Sequence, residues 1–299
     1  MIAPVHLKQK SILITAAIGV ILFITVVLIQ TKSGNELIMK IDSLQTLQKA
    51  QVSTATTTRN DAKFLDQRNM LSKHLNEMKR LYGQQSCNMM ALQAKAGGQV
   101  DARISANGGW CAQTSGTNSS SHVWDQGLSK ALSTFLKGKS VASFGDGPGL
   151  YKKHLDSVGE VKSYTAYDGA PFCESTTEGR VKFLDLTAPQ FGMPAFDWVV
   201  SIEVGEHIPA KFEDIFLDNL ARHAKEGIIL SWAVPGQGGL SHVNNKALTD
   251  VVNQMKKRHF SFNSDHGKPL RDASSFYWLK QNIHVYRRTD PSTFQEEDV

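Results

Sequence analysis

The sequence predicts an α/β fold in which helices pack on both faces of a mostly parallel sheet, a doubly wound arrangement. Three observations point to it: short apolar runs recur between residues 141 and 232, helical stretches separate them, and the first run ends in a glycine-rich turn. Strands that alternate with helices are typical of βαβ units, whose strands lie parallel. Ligands of such sheets bind beyond the carboxyl ends of the strands, so the residues that follow a strand are site candidates.

The first predicted strand covers residues 141–144 and continues into the sequence Gly-Asp-Gly-Pro-Gly at 145–149, ahead of a predicted helix at 150–158. Glycine lets the backbone approach a ligand where a Cβ would clash. The helix N-terminus behind the turn presents unpaired N–H groups to polar ligand atoms. This segment therefore predicts one end of a nucleotide-type site.

Two further predicted strands end near acidic residues. The run at 161–167 ends at Asp168, about 20 residues after the glycine turn, where a carboxylate is placed to accept hydrogen bonds from ribose hydroxyls. The run at 180–186 carries Asp185 near its end. We expect both carboxylates at the ligand-binding edge of the sheet.

The fourth predicted strand starts at Phe196, and its carboxyl end carries Glu203, Glu206 and His207. A fifth strand at 227–232 leads into a glycine-rich loop with a hydrogen-bonding set that would suit a polyhydroxylated ligand. That set consists of Trp232, Gln237, His242, Asn244 and Asn245. The sequence at 276–279 and 283–286 predicts a closing antiparallel hairpin.

Several of these segments resemble the successive motifs of class I S-adenosylmethionine-dependent methyltransferases. The matching strings are SFGDGPG at 143–149, TAYDGAP at 165–171, FLDLT at 183–187 and FDWVVSIEVGEHIP at 196–209. More closely, GGWC at 108–111 and SWAVPGQGG at 231–239 resemble the methyltransferase-like 24-type branch. The resemblance covers residues 110–288 and implies a seven-stranded sheet and S-adenosylmethionine as cofactor.

The resemblance also implies roles for the candidate residues. The glycine turn would lie against the methionine part of the cofactor, Asp168 would hold the ribose, and Asp185 with the Leu186 backbone would recognise the adenine amino group. Glu203, Glu206 and His207 would line the methyl-transfer side. The implied cofactor-binding residues are Gly145, Asp146, Gly147, Gly149, Asp168, Asp185, Leu186 and Glu203.

One position departs from the family pattern. Ser143 stands where the family usually has an acidic residue that helps to orient the ammonium group of the cofactor. Asp146, inside the turn, is expected to compensate if its side chain points the same way. The alternative is a non-catalytic fold that serves as an interaction module.

Methyl transfer to a hydroxyl group requires alignment of the two reactants and a base. His207 is the expected base, because histidine takes up a proton near neutral pH. Glu206 is its neighbouring alternative, and His242 is a further one. No cysteine has metal-ligand spacing, so no metal site is expected.

The N-terminal region predicts a membrane anchor. Residues 11–30 are uncharged and mostly apolar, as a membrane-spanning helix requires, and no convincing small-residue cleavage site follows them. Lysines at 8 and 10 favour a short cytoplasmic tail at 1–10. We therefore expect a signal-anchor and a single-pass type II protein of the Golgi or endoplasmic reticulum, with a lumenal catalytic domain.

Between the anchor and the motifs, residues 31–100 predict a helical stalk, because apolar residues recur at helical spacing at 37–44 and 71–82. Two short helices that pair with another chain, which would give a homodimer, and a solvated tether are both open. The methyltransferase domain is expected at 101–289. The acidic residues at 290–299 predict a disordered tail.

The cysteines and a sequon bear on the compartment. In an oxidising lumen Cys111 pairs with Cys87 or with Cys173, and the third reading is three thiols. Asn118 begins an Asn-Ser-Ser sequon in a loop rich in serine and threonine, which predicts a glycoprotein.

Charge and topology narrow the expected function. The net charge of +5 comes from dispersed basic residues, and no nucleic-acid-binding module is recognisable. The expected reaction is O-methylation of a glycan or another hydroxyl acceptor in the secretory lumen. A lipid or small-molecule acceptor at a membrane surface is the alternative.

Overall fold

The computed structural model describes residues 61–112, 124–296 and 299. The expected anchor at 11–30, the first stalk stripe at 37–44 and the sequon at Asn118 lie outside these ranges. Among the helices that are described, none has both the length and the apolar character needed to cross a membrane.

A seven-stranded sheet forms the centre of the described unit, in the order β3-β2-β1-β4-β5-β7-β6. The first five of these are parallel, while β7 runs antiparallel to both β5 and β6. The predicted doubly wound, mostly parallel sheet of seven strands is confirmed. In chain order the strands are β1 Ser140–Phe144, β2 Ser163–Asp168, β3 Val181–Phe183, β4 Phe196–Ser201, β5 Ala224–Leu230, β6 Phe260–Phe262 and β7 His284–Arg288.

Helices connect the strands and precede them. The α-helices are α1 Asp61–Lys95, α2 Gln126–Phe135, α3 Leu150–Val158, α4 Cys173–Thr176, α5 Glu213–His223, α6 Leu248–Lys257, α7 Ser264–Ala273 and α8 Tyr277–Asn282. Short 3₁₀ turns occur at Gly205–His207, Ala210–Phe212 and Pro291–Thr293.

The central strands are buried on both faces because their alternating side chains enter two different cores. In β4, Val199 packs in one core with Phe216 of α5, while Val200 packs in the other with Leu132 of α2 and Leu155 of α3. Successive residues of a strand point to opposite faces of the sheet, so a run of apolar residues covers both. Burying one such side chain contributes roughly 1.5–3 kcal/mol.

The predicted C-terminal hairpin is wrong in its first strand. Residues 276–279 lead into α8, where the Tyr277 side chain is 69% exposed. The strand that pairs with β7 is β6, in which Phe260 is buried and Ser261 is exposed, as the period of two in a strand requires. The antiparallel pair is therefore present, but α7 and α8 separate its two strands in the chain.

The helix α1 packs against the sheet unit. Asn76 of α1 donates from Nδ2 to the Phe183 carbonyl oxygen at 3.1 Å, and its Oδ1 accepts from the Asp185 backbone N–H at 2.9 Å. Lys79 lies 3.4 Å from the Asp185 carboxylate, and Leu75 is 1% exposed. The helix thus supports the loop that follows β3.

This docking changes the expected domain limits. The helix α1 belongs to the same compact unit as the sheet, although the domain boundary was expected near residue 100. The apolar stripe at 71–82, expected to pair with another chain or to remain solvated, faces the sheet unit at Leu75. Sequence periodicity identified a helix here but could not identify the surface that it contacts.

The C-terminal segment is ordered in its described part, where a disordered tail was expected. Pro291–Thr293 forms a 3₁₀ turn capped by the Asp290 side chain, and Val299 is 8% exposed. Arg68 of α1 donates to the backbone oxygen of Val299 at 2.9 Å. These contacts fold the segment back onto α1.

A disulfide joins Cys87 of α1 to Cys111, with a Cα–Cα distance of 5.4 Å. Of the two pairings left open by the sequence, the structure has this one, and Cys173 is a buried free thiol. The bridge ties α1 to the segment at 101–112.

Replacing both cysteines of the bridge, as Cys87→Ser with Cys111→Ser, is expected to lower the free energy of unfolding by about 3 kcal/mol, because the bridge closes a loop across 24 residues. Denaturant unfolding of the oxidised proteins measures the difference. Reduction of the wild type should reproduce the loss and should leave the double variant unchanged. Equal stability of the oxidised wild type and the double variant would contradict a stabilising bridge.

Candidate functional site

A cavity of about 490 Å³ opens at the carboxyl edge of the parallel strands. This volume falls in the range of small-molecule sites. Its walls come from the glycine turn after β1, the ends of β2 and β4, the loop after β5, residues 107–110 and the start of α8. The cavity therefore lies where the strand order predicts a ligand.

The glycine turn is fixed to the neighbouring strand. The backbone N–H groups of Gly145 and Asp146 both donate to the Tyr167 carbonyl oxygen, at 2.8 and 2.9 Å. Gly145 has φ +95°, and a Cβ at this position would overlap the Val204 side chain. Glycine is required here both by the backbone angle and by the close approach.

Asp146 lies beneath the turn and is buried. Its Oδ1 accepts hydrogen bonds from the Ser143 hydroxyl at 2.6 Å and from the Tyr164 hydroxyl at 3.1 Å. Burial raises the pKa of Asp146 to about 6, against the lowering effect of these two hydroxyls. Both Ser143 and Asp146 line the cavity, so its wall has a carboxyl group three residues after the position at which the resemblance implies one.

Asp168, at the end of β2, also lies in the cavity wall. One carboxylate oxygen accepts from the Gly147 backbone N–H at 2.8 Å, and the other accepts from the Ala170 backbone N–H at 2.8 Å. Burial raises the pKa of Asp168 to about 6. The side chain thereby holds the glycine turn against β2 as well as facing the cavity.

The cavity wall is acidic. Asp146, Asp168 and Glu203 line it, and no lysine or arginine does so among the described residues. The chain as a whole has a net charge of +5. The site thus presents the opposite charge to the rest of the protein and favours a cationic ligand.

Asp185 does not reach the cavity, in contrast to its expected role. Its Oδ1 accepts from the backbone N–H and the hydroxyl of Thr187, and its Oδ2 faces Lys79 of α1 at 3.4 Å. The neighbouring Leu184 and Leu186 do line the cavity and give it an apolar wall. The docking of α1, which the sequence did not predict, explains why the carboxylate turns away.

Two carboxyl groups lie together after β4. Glu203 has φ +56° and accepts from the Ser231 hydroxyl at 2.8 Å. Glu206 is fully buried, and burial first and the nearby Glu203 charge second raise its pKa to about 8. Glu203 is close enough to interact with it, although no well-formed hydrogen bond joins either Glu206 oxygen to a described residue.

Two imidazoles lie beside these carboxyl groups and line the cavity. The His207 and His242 rings are 5.0 Å apart and nearly perpendicular, at 82°. His207 Nδ1 is 3.2 Å from the Ser241 carbonyl oxygen, and His242 Nδ1 is 3.3 Å from the Gln237 carbonyl oxygen. The structure therefore brings the three predicted catalytic side chains together, with His207 and His242 in the cavity wall and Glu206 buried beside them.

The rest of the polar set predicted after β5 has structural contacts instead. Trp232 is buried and donates from Nε1 to the Asn244 carbonyl oxygen, while the Asn244 side chain donates to Glu213 at 3.1 Å. Asn245 donates to the carbonyl oxygens of Val234 and Gln237 within the loop. Of this set, only Gln237 and His242 line the cavity.

Sequence reasoning missed the segment at 107–110, which covers the cavity. A Cβ on Gly108 would overlap the His207 carbonyl oxygen, and a Cβ on Gly109 would overlap the Gly169 backbone. Asn107 donates to the Gly169 carbonyl oxygen at 3.0 Å. The paired glycines of the GGWC string were a usable signal for this close contact.

No family model and no curated protein matches the chain. Several solved structures are similar over about half of it. Magnesium protoporphyrin IX methyltransferase from Synechocystis with bound SAM is 19% identical, with a TM-score of 0.41, covering 55% of this chain and 78% of that one. The sugar N-methyltransferase KedS8 from Streptoalloteichus is 12% identical, with a TM-score of 0.44 and coverages of 55% and 88%.

A further similar structure is the 1,6-didemethyltoxoflavin-N1-methyltransferase of Burkholderia thailandensis with bound S-adenosylhomocysteine. It is 15% identical, with a TM-score of 0.37, and the match covers 55% of this chain and 79% of that one. The assignment to the methyltransferase-like 24-type branch stays a prediction.

Replacing Glu206 by Gln is expected to stabilise the protein at alkaline pH. The pKa of Glu206 rises from 4.5 to about 8 on folding, so ionisation disfavours the folded state as the pH increases between these values. Below pH 4.5 the two proteins should differ little. Above pH 8 the advantage of Glu206→Gln should reach a plateau of at most about 5 kcal/mol.

Denaturant unfolding across this pH range, in the presence of a chelator, measures the difference. A difference between the two proteins that does not change with pH would show that Glu206 ionises normally in the folded state.

Proposed function

We propose that this chain is an S-adenosylmethionine-dependent methyltransferase. The observation that carries the proposal is the acidic cavity at a glycine turn, whose wall includes Asp146, Asp168, His207 and His242. When bound, S-adenosylmethionine supplies a methyl group on a positively charged sulfur, which leaves as a neutral thioether.

The acidic charge of the cavity wall favours this cofactor over other nucleotide-type ligands. A glycine turn before a helix also suits the pyrophosphate of a dinucleotide. The cavity, however, has three carboxyl groups in its wall and no lysine or arginine from the described residues. A pyrophosphate would be repelled by this wall, whereas an ammonium and a sulfonium group would be attracted.

The residues present fit the groups of the cofactor. Asp146, which accepts hydrogen bonds from Ser143 and Tyr164, would bind the ammonium group in place of the acidic residue that position 143 lacks. Asp168 would accept the ribose hydroxyls. The apolar wall at Leu184 and Leu186 suits the adenine ring, which then depends on backbone groups rather than on the Asp185 side chain.

The part of the cavity beside His207 suits proton removal from an acceptor. The Ser241 carbonyl oxygen can only accept, so it favours the proton on His207 Nδ1 and leaves the Nε2 lone pair to act as base. As the acceptor oxygen bonds to the methyl carbon, its proton passes to this nitrogen and the carbon–sulfur bond breaks. Glu206 and His242 surround the same position.

The acceptor that we propose is a glycan or another hydroxyl-bearing molecule. Aromatic side chains of Trp110, Trp124, Tyr277 and Trp278 border the cavity, and Gln237 adds an amide. Aromatic faces pack on the C–H surfaces of sugars, and amides pair with hydroxyl groups. A lipid or small-molecule acceptor at a membrane surface is the alternative.

We place this reaction in the lumen of the secretory pathway. The Cys87–Cys111 bridge supports an oxidising compartment. The apolar run at 11–30 and the Asn118 sequon, both outside the described residues, fit a type II anchor in the Golgi or endoplasmic reticulum.

Calorimetric titration with S-adenosylmethionine is expected to show binding, and variants of Asp168 and His207 should respond differently. Asp168→Asn should weaken affinity at least about 10-fold, because it removes a charged hydrogen-bond acceptor. His207→Ala should change affinity by less than about 3-fold. Asp156→Asn, an exposed aspartate on α3, is the matched control and should bind as the wild type does.

Absence of binding by the wild type at millimolar ligand would contradict the proposal and favour a non-catalytic interaction module. Equal affinity of the wild type and Asp168→Asn would contradict the assigned position of the ribose.

Protease treatment of sealed vesicles tests the compartment. If the catalytic unit is lumenal, it should resist the protease until detergent is added, and an N-linked glycan should be removable from Asn118. Digestion of the unit in intact vesicles would overturn the lumenal assignment and favour an acceptor on the cytosolic side.

A further inference from the structure

A carboxyl group and two imidazoles converge at the cavity. Glu206 and His207 belong to the 3₁₀ turn after β4, and His242 belongs to the loop after β5. One ligand atom from each residue lies within 4.8 Å of the other two. Two imidazoles and one carboxylate form a common donor set for divalent transition metals.

The buried environment of Glu206 favours a bound cation. Its side chain is fully buried, and neither carboxyl oxygen makes a well-formed hydrogen bond to a described residue, although Glu203 and the Ala233 backbone lie close enough to interact with it. A buried carboxyl group without a partner is costly, and natural proteins retain one where it serves a purpose. A cation at this position would satisfy both oxygens.

Backbone hydrogen bonds join the two loops that carry these residues. The Glu206 carbonyl oxygen accepts from the backbone N–H groups of Val243 at 2.8 Å and Asn244 at 3.0 Å. The residues directly after His242 are therefore hydrogen-bonded to the turn that carries Glu206 and His207. Backbone contacts therefore bring the three residues of the cluster together.

Both imidazoles are oriented as metal-binding histidines usually are. His207 Nδ1 faces the Ser241 carbonyl oxygen and His242 Nδ1 faces the Gln237 carbonyl oxygen. A carbonyl oxygen accepts only, so each Nδ1 carries the proton and each Nε2 has the lone pair. This second contact, which fixes the ring and its tautomer, is typical of histidine ligands.

We propose that Glu206, His207 and His242 bind a divalent transition-metal ion that presents an open coordination position to the acceptor. Ligand atoms on a tetrahedral zinc ion lie about 3.3 Å apart, so binding draws the three side chains together by small rotations. The two histidines line the cavity, so a metal ion that they hold would be accessible from it. The expectation of no metal site rested on cysteine spacing and did not consider this set.

Metal binding is independent of the proposed methyltransferase activity. The role of the metal in the reaction, however, rests on that proposed activity. A bound cation would hold the His207 Nε2 lone pair, so in the metal-bound state His207 would be a ligand and not the base. The cation would instead polarise the acceptor hydroxyl and favour loss of its proton to water. A hydroxyl or a pair of neighbouring hydroxyls on the acceptor would complete the coordination. An acceptor that binds to this metal ion would therefore need an oxygen donor.

The test is titration of the chelator-treated full-length protein with Co²⁺, without cofactor or acceptor, followed by visible absorption. One Co²⁺ per chain should bind, and Zn²⁺ should displace it. Glu206→Gln and His242→Ala should each weaken Co²⁺ binding at least about 10-fold. His74→Ala removes an exposed histidine of α1 and should bind as the wild type does.

A pair of glycine variants tests the site without removing a ligand. A Cβ on Gly239 would overlap the His242 ring, whereas nothing lies within 4 Å of a Cβ on Gly238. Gly239→Ala should therefore weaken Co²⁺ binding, and Gly238→Ala should leave it unchanged. Thermal unfolding checks that each variant is folded.

Failure to bind Co²⁺ below about 1 mM, or equal binding by the wild type, Glu206→Gln and His242→Ala, would overturn the inference. A wild type that binds S-adenosylmethionine but no Co²⁺ would refute the metal site alone. A wild type that binds Co²⁺ but no S-adenosylmethionine would refute the proposed function alone.

Discussion

The structure depends on the parallel register of four strands. Ser143 of β1 is level with Ala166 of β2 and with Val200 of β4, and Val200 is level with Ile229 of β5. The four strands therefore leave the sheet at one edge, and the segments that follow them meet. Hydrogen bonding along the sheet thus places the glycine turn, Asp168, the Glu203–His207 segment and the loop of His242 around one cavity.

The sequence predicted this edge well because its signals are local. Apolar runs and glycine positions located the strands and their ends, and the cavity contains Asp146, Asp168 and His207 as expected. It failed where a contact between distant segments decides the outcome. The Asp185 carboxylate faces Lys79 because α1 packs beside β3. The sequence around Asp185 has no pattern that predicts this contact. Residues 276–279 were assigned to a strand because their aromatic content hides the difference between a strand and a short helix.

Burial raises the pKa values of three acidic groups in or beside the cavity. Asp146 and Asp168 have pKa values raised to about 6, and Glu206 has a pKa raised to about 8, because the fold withholds water from them. A cation beside such a group favours its charged form and so offsets the solvation that burial has removed. One physical condition thus serves both proposals: a sulfonium cofactor and a metal ion at the same cavity.

The central claim is methyl transfer at this cavity, and the direct measurement is incorporation of label from methyl-labelled S-adenosylmethionine into a membrane-fraction extract. The wild type should transfer label to an extract component, Asp168→Asn should transfer far less at limiting cofactor, and His207→Ala should lose at least about 100-fold in rate. No incorporation by a wild type that binds the cofactor, or full incorporation by His207→Ala, would contradict the account of how this site works.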